Sequence, residues 1–196
     1  MRRVAALRSI CLACVFCGPA IAVETCRDIA SVDFRNRAIW AAPDHWKSEY
    51  GSEFNGPAPG GPLRLRNGVF REWDRVNNVV DWETTIEKDI LLHPAGSNGV
   101  RILVLGRDHR SGTGSFTYIF GFQCSSSTVK KIFEASGEGV KFGRATDKGI
   151  EITVGIWSKD DPHAGPSTEV QLRYLWSPAL KRFVREPSKA TIPWLP

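Results

Sequence analysis

Histidine, cysteine and methionine are scarce in this chain of 196 residues, which has four histidines, five cysteines and one methionine. The histidines are too widely spaced for an H-E-x-x-H zinc sequence, and residues 23–196 contain no C-x-x-C pair. Residues 89–98 also lack the alternating carboxylates of an EF-type calcium loop. The sequence therefore predicts no metal site, with Asp160, Asp161 and His163 in one polar loop as the alternative.

Glycine-rich loops of the nucleotide-binding kind are missing as well. The stretch GRDHRSGTGSFTYIFGFQC (residues 106–124) has Gly112 and Gly114, but Thr117 occupies the place of the third glycine in a dinucleotide fingerprint. The chain has no Gly-Lys-Ser or Gly-Lys-Thr, and the stretch continues as an aromatic, strand-like run rather than a helix. Glycines between two strong strands are typical of a hairpin turn. We therefore predict a turn here and no cofactor.

A large excess of one charge is absent once the first 22 residues are set aside. The whole chain has 26 basic and 21 acidic residues, but three of the basic ones lie in that segment, which leaves a net charge of about +2. The doublets Lys130-Lys131 and Lys181-Arg182 are more typical of solvated strand edges than of a contact patch. A nucleic-acid partner requires a clustered basic face and is not expected.

The first 22 residues have the features of a secretory signal peptide. Arg2 and Arg3 form a positive start, an apolar run follows, and Ala20 and Ala22 provide the small residues of a cleavage site. A transmembrane anchor is the alternative, but the run is short and is interrupted by polar and helix-breaking residues. We predict cleavage after Ala22 and a periplasmic or secreted protein without a transmembrane segment in the mature chain. Residues 23–196 are expected to form a single β-rich domain.

Two cysteines, Cys26 and Cys124, remain after this cleavage. In an oxidising compartment a single long-range disulfide between them is the simplest expectation. The rival is a cysteine-based metal site, which lacks further ligands at a suitable spacing. Lipidation of Cys14 in a Leu-Ala-Cys sequence is disfavoured, because Cys11 occupies the place where lipoproteins usually have leucine.

Alternation of apolar and polar residues, the period of a strand, continues along most of the second half of the chain. In EVQLRYLW it places four residues on one face, namely Val170, Leu172, Tyr174 and Trp176. Strands are predicted at 99–107, 114–124, 127–136, 140–144, 150–157, 169–176 and 181–186. We predict a mainly β fold, an antiparallel meander in a sandwich or curved sheet, with at most one or two short helices.

The first half of the chain is less regular. Asn67-Gly68 between two alternating segments predicts a two-residue hairpin turn. Residues 84–92 alternate like a strand, although residues 81–92 are also compatible with a short helix. A further short helix is possible over 44–50, where Asp44 is a suitable N-terminal cap.

Two polar loops contain the candidate binding residues, which are Asp108 and His109 in the first loop and Asp161 and His163 in the second. Both loops follow predicted strands, so folding can bring them to one end of a sheet. A hydrolase that uses these residues is the alternative function. Adjacent residues on a strand point to opposite faces, so Asp108 is poorly placed to orient His109. The sequence also has no G-x-S-x-G elbow, and no catalytic residue is assigned.

The order of these features resembles two groups of bacterial proteins. The Leu65-Arg66-Asn67-Gly68 turn, the V-x-x-L-x-L-G strand and the sequence SGTGSFTY resemble a loose group of uncharacterised secreted proteins with a SGTGSF-Y hairpin. The C-terminal Tyr174-x-Trp176 and Arg182-Phe183-Val184 are similar to LppP/LprE-type lipoproteins. The resemblance covers residues 63–186 and implies a location and a fold, but no activity. An acidic turn that often precedes the V-x-L strand in the first group has no acids here, so ion binding is not implied.

The function that we predict is that of a non-enzymatic binding or envelope-associated module, with an envelope component or another protein as its partner. The sequence offers no nucleophile with its base, no cofactor loop and no ligand cluster, while its strands predict a stable scaffold with polar loops. Most of the seven tryptophans are expected in the core, with Trp46 and Trp194 as the more exposed pair.

Overall fold

The computed structural model describes residues 25–41, 61–74, 77–110, 115–156, 166 and 168–187. The predicted signal peptide and the helix predicted over 44–50 lie outside these ranges. Eleven strands lie within them: β1 (Ala38–Ala41), β2 (Gly61–Arg64), β3 (Val69–Asp74), β4 (Val79–Leu92), β5 (Val100–His109), β6 (Ser115–Ser125), β7 (Thr128–Gly137), β8 (Val140–Thr146), β9 (Gly149–Ile156), β10 (Thr168–Ser177) and β11 (Arg182–Arg185).

The strands form three antiparallel sheets. A five-stranded sheet in the order β3–β4–β5–β6–β7 is curled into a half barrel, and a four-stranded sheet has the order β11–β10–β9–β8. The two larger sheets are meanders, because each strand pairs with its neighbour in the sequence. A third sheet joins β1 to β2. The predicted mainly β, antiparallel fold is confirmed.

Two short 3₁₀ helices, Ile29–Ser31 and Phe34–Asn36, precede β1. Asp28 and Asp33 cap them, since their side chains accept hydrogen bonds from the backbone two residues further on. Two helices of three residues each agree with the prediction of at most one or two short helices. These helices hold the N-terminal segment against the five-stranded sheet.

Apolar side chains cover both faces of the five-stranded sheet. On β5, Ile102 and Val104 pack with residues of the four-stranded sheet, whereas Leu103 and Leu105 pack with the N-terminal segment. This division follows from the two-residue period of a strand. The near-continuous apolar run of β5 is thus explained by burial on both sides, which is the main source of stability in such a core.

A disulfide joins Cys26 to Cys124, as predicted, with a Cα–Cα distance of 5.4 Å. The backbone N–H of Cys26 also donates to the carbonyl oxygen of Ser127 at 2.8 Å. Together these bonds fasten the N-terminal segment to β6 and to the turn that follows it.

The Asn67-Gly68 turn is present, but the strands around it pair differently from the prediction. Both residues have positive φ, 54° and 84°, as a two-residue hairpin turn requires. Only the single bridge between Arg66 and Val69 joins the two sides, because β2 pairs with β1 and not with β3. The competing helix at 81–92 is wrong, since these residues belong to β4.

The tryptophans divide between core and surface. Trp176 is buried, as predicted. Trp40 and Trp73 are 65% and 58% exposed, so the expectation of a core position is wrong for them. The exposed pair that was predicted, Trp46 and Trp194, lies outside the residues that the structure describes.

Candidate functional site

The candidate residues of the first polar loop lie at the end of β5. His109 Nε2 is 2.8 Å from Asp81 Oδ1, while Asp108 is exposed and opposite Glu83 in the strand register. The carboxylate that orients His109 is therefore Asp81, which lies 28 positions earlier in the sequence and gives no local signal. Asp161 and His163 of the second loop lie outside the described residues. A hydrolase based on His109 would use Asp81 as its orienting group.

Trp82 on β4 lies against its register partner His109 on β5, with 4.7 Å between the ring centroids. The same indole packs under the Arg107 guanidinium, whose central carbon lies 5.0 Å from the ring centroid. Arg107 and His109 are two positions apart on β5, so they lie on the same face of the sheet, and both contact Trp82. Trp82 thereby fixes both polar side chains.

Arg107 lies two residues before His109 on β5 and is only 2% exposed, although it is charged. Its Nη1 donates to the Tyr118 hydroxyl at 3.0 Å, and its Nη2 donates to Glu72. Burial raises the pKa of Glu72, and the Arg107 charge partly offsets this effect. Thr84, opposite Arg107 on β4, is fully buried, and within the described ranges its hydroxyl has no partner. These contacts make Arg107 an internal ion-pair partner rather than an accessible binding group.

A groove of about 450 Å³ lies between β7 and β11. Each of these is an edge strand of its sheet. The apolar lining consists of Ile132, Phe133, Tyr174, Phe183 and Val184, and the charged lining consists of Lys131, Glu134, Arg182 and Arg185. An apolar surface with a few polar groups is the usual composition of a ligand site.

Three aromatic side chains pack together along the groove. The ring of Phe133 lies 4.9 Å from that of Tyr174 and 5.8 Å from that of Phe183, and both pairs are edge-to-face. All three side chains are buried and belong to the core between the two larger sheets. The groove therefore has a rigid apolar floor, continuous with the core.

Tyr174, one of the residues that line the groove, has a buried hydroxyl. Tyr174 is 1% exposed, and within the described part of the chain its hydroxyl has no hydrogen-bond partner. Burial raises the pKa of Tyr174, and the positive charge of Arg185 opposes that shift. The hydroxyl is therefore neutral at pH 7.

The rim of the groove is basic. Lys131, Arg182 and Arg185 face a single carboxylate, that of Glu134. Glu134 pairs with Lys131, whose Nζ also donates to the Trp40 carbonyl at 2.7 Å. The arginines of β11 therefore give the groove a net positive character.

Sequence reasoning missed this groove because its residues come from three separate segments. The doublets Lys130-Lys131 and Lys181-Arg182 were expected at solvated strand edges; Arg182 is exposed on β11, whereas Lys131 on β7 is half-buried and pairs with Glu134. What the sequence did not indicate is that the two edges lie side by side. The alternation that correctly put Tyr174 in the core gave no sign that its hydroxyl would lack a partner.

No group of three or more His, Cys, Asp or Glu side chains within the described ranges is arranged to hold a metal ion. In the same ranges, no helix has the length and apolar character needed to cross a membrane. No protein-family model, curated protein or solved structure matches this chain. The groove between β7 and β11 is the candidate functional site.

Proposed function

We propose that this chain is a secreted or periplasmic, non-enzymatic binding module and that the groove between β7 and β11 receives its ligand. The observation that carries the proposal is the groove itself, a concave surface of about 450 Å³ at which buried aromatic side chains meet charged ones.

The size and lining of the groove support the proposal. Ligand sites usually enclose about 300–1,000 Å³ and combine an apolar surface with few polar groups. The groove falls in this range, and its aromatic floor belongs to the rigid core. A preformed site of this kind binds without a large cost of ordering.

The extracytoplasmic part of the proposal is supported by the disulfide and by the signal-peptide sequence. A bond between Cys26 and Cys124 is typical of proteins that fold in an oxidising compartment. The positive start and the small residues before Ala22 are typical of export.

The proposal is tested by a fragment screen followed by amide NMR of the oxidised protein. We expect a set of fragments to shift the amide signals of residues 131–134 and 182–185 together. Val184→Trp fills the groove and should abolish these shifts. Leu91→Trp is the matched control, because Leu91 is likewise exposed but lies on β4. The proposal is overturned if no fragment shifts these signals, or if the shifts persist in Val184→Trp.

A further inference from the structure

We infer that one end of the two larger sheets is a docking surface for an anionic lipid membrane, with Leu180 at the point of contact. This end is formed by four turns, residues 93–99, 126–127, 147–148 and 178–181, and we call it the basic end. The inference goes beyond the proposed function, because it concerns these turns and not the groove. It follows from the positive charge around the turns and from the apolar tip of one of them.

Hydrogen bonds between the turns hold the basic end together. The backbone N–H of His93, in the first turn, donates to Asp147 Oδ1 in the third turn at 2.7 Å. The indole N–H of Trp176, just before the fourth turn, donates to the carbonyl oxygen of Ala95 in the first turn at 2.9 Å. The turns therefore present one continuous surface.

Exposed cations are concentrated on this surface. The side-chain amide of Gln123 donates to the carbonyl oxygen of Lys181 at 3.4 Å, which joins the strand before the second turn to the fourth turn. Gln123 is also the register partner of Lys130, so the two basic doublets of the sequence meet here. Lys130, Lys148, Lys181 and Arg182 are all exposed. Within the described ranges, no acidic side chain forms an ion pair with any of them.

Acidic side chains do not balance these cations. Asp147 is the one acidic residue in the sequence of the four turns, and its carboxylate already accepts the hydrogen bond from His93. The basic end therefore has a net positive charge. Such a surface is attracted to anionic lipid headgroups over about one Debye length, roughly 8 Å at physiological ionic strength.

The fourth turn presents an apolar tip beside the cations. Pro178, Ala179 and Leu180 are exposed, and Leu180 is 56% exposed. The backbone N–H of Leu180 donates to the Ser177 hydroxyl at 3.3 Å, which fixes the turn. The next two residues in the chain are basic. An apolar side chain beside basic ones suits the boundary between headgroups and acyl chains, where the apolar part is buried and the cations attract phosphates.

The form of the tip favours a membrane over a protein partner. A stable protein interface usually buries several large side chains in a broad patch and anchors them in pockets. Among the described residues of the four turns, Leu180 is the one exposed large apolar side chain. A lipid surface accepts a single projecting side chain, because it is fluid and needs no complementary pocket.

The test is a titration of the oxidised protein with vesicles of phosphatidylcholine alone and of phosphatidylcholine mixed with phosphatidylglycerol, followed by co-sedimentation. We expect the vesicles that contain phosphatidylglycerol to bind at least about tenfold more tightly, because they alone are anionic. Sodium chloride should weaken this binding about tenfold or more between about 50 and about 300 mM, since it screens exposed charges.

Two variants test the assigned contacts. The double variant Lys148→Gln with Lys181→Gln removes two charges that do not line the groove, and it should weaken binding to anionic vesicles about 25-fold, since each basic residue near such a surface contributes about fivefold. Leu180→Ser removes the apolar tip and should weaken the same binding about fivefold, because less apolar surface is buried.

Matched controls come from the opposite end of the sheets. Arg110→Gln with Lys141→Gln also removes two exposed cations, which follow β5 and begin β8. Val79→Ser removes an apolar side chain that is 51% exposed at the start of β4. Both controls should bind anionic vesicles like the wild type.

The inference is overturned by equal binding to vesicles with and without phosphatidylglycerol, or by controls that weaken binding as much as their matched variants. It is also overturned if soluble polyglutamate binds as tightly as anionic vesicles and Leu180→Ser changes neither affinity, since the surface would then recognise an acidic protein segment. The proposed function is tested separately, because the fragment screen reports on residues 131–134 and 182–185.

Discussion

Tyr174 and Arg185 lie opposite each other on the adjacent strands β10 and β11, and the buried Tyr174 hydroxyl has no partner within the described residues. Both residues line the groove between β7 and β11. A buried hydroxyl without a partner is a cost to the folded state, because it has lost its hydrogen bonds to water and has gained none in return.

The stability of the ligand-free protein should therefore rise when the hydroxyl is removed. We expect Tyr174→Phe to increase the free energy of unfolding by about 1 kcal/mol, since the phenylalanine ring fills the same space without a desolvated polar group. Thr84→Val should act in the same direction for the same reason. Urea unfolding at pH 7 measures both changes. A loss of 1 kcal/mol or more in Tyr174→Phe would show that the hydroxyl has a partner.

The ion pair between Glu72 and Arg107 should behave as a coupled unit. Arg107→Met leaves the Glu72 carboxylate, which burial already disfavours as an anion, without its cation. We expect a loss of about 2 kcal/mol, less than for a fully buried pair because the Glu72 side chain is 34% exposed. The double variant Glu72→Leu with Arg107→Met removes both charges and should recover most of that loss. Denaturant unfolding of the single and double variants measures the coupling energy. Additive losses from the two single substitutions would contradict the coupling.

The disulfide between Cys26 and Cys124 should contribute strongly to stability. The two cysteines are 98 positions apart, and for a loop of this length the chain-entropy model predicts a loss of about 4–5 kcal/mol when the bond is removed. The replacement of both cysteines with alanine should also release the N-terminal segment, including the buried Ile29 and Phe34. Thermal unfolding under oxidising and reducing conditions measures the effect. The reduced wild type serves as the control and should match the double variant.

Acid should destabilise the protein in part through Glu83. Hydrogen bonding from Arg71, helped by the charge of Arg110, lowers the pKa of Glu83 below its usual 4.5. Because the pKa is lower in the folded state, the stabilisation is present above about pH 4.5 and is lost as the pH falls through the folded-state pKa. Glu83→Gln should therefore have a flatter stability profile than the wild type between pH 6 and pH 3. Arg71→Met should flatten the profile in the same direction, and an unchanged slope in both variants would contradict the assignment.

Much of the fold could be predicted from local sequence patterns. From residue 99 onward, every predicted strand is present with its bounds within two residues, because alternation and glycine-containing turns define strands locally. The buried face of β10 was predicted correctly for the same reason. The pairing of β2 with β1 could not be predicted, since register between distant segments is decided by which apolar faces meet the core.

The functional geometry was much less predictable. His109 was identified as a candidate, but its carboxylate partner Asp81 is set by the pairing of β4 with β5. The groove depends on the approach of two sheet edges from different meanders, which no local pattern encodes. The hydroxyl of Tyr174 becomes informative only when its surroundings are known.

The most direct test of the central claim is the unfolding free energy of wild type, Val184→Trp and Leu91→Trp, each measured with and without a fragment that shifts the amide signals of residues 131–134 and 182–185. At 100 times its Kd, such a fragment should stabilise the wild type by about 2.7 kcal/mol. Leu91→Trp should gain as much as the wild type, whereas Val184→Trp should gain nothing because its indole fills the groove. An equal gain in Val184→Trp and the wild type would contradict the account.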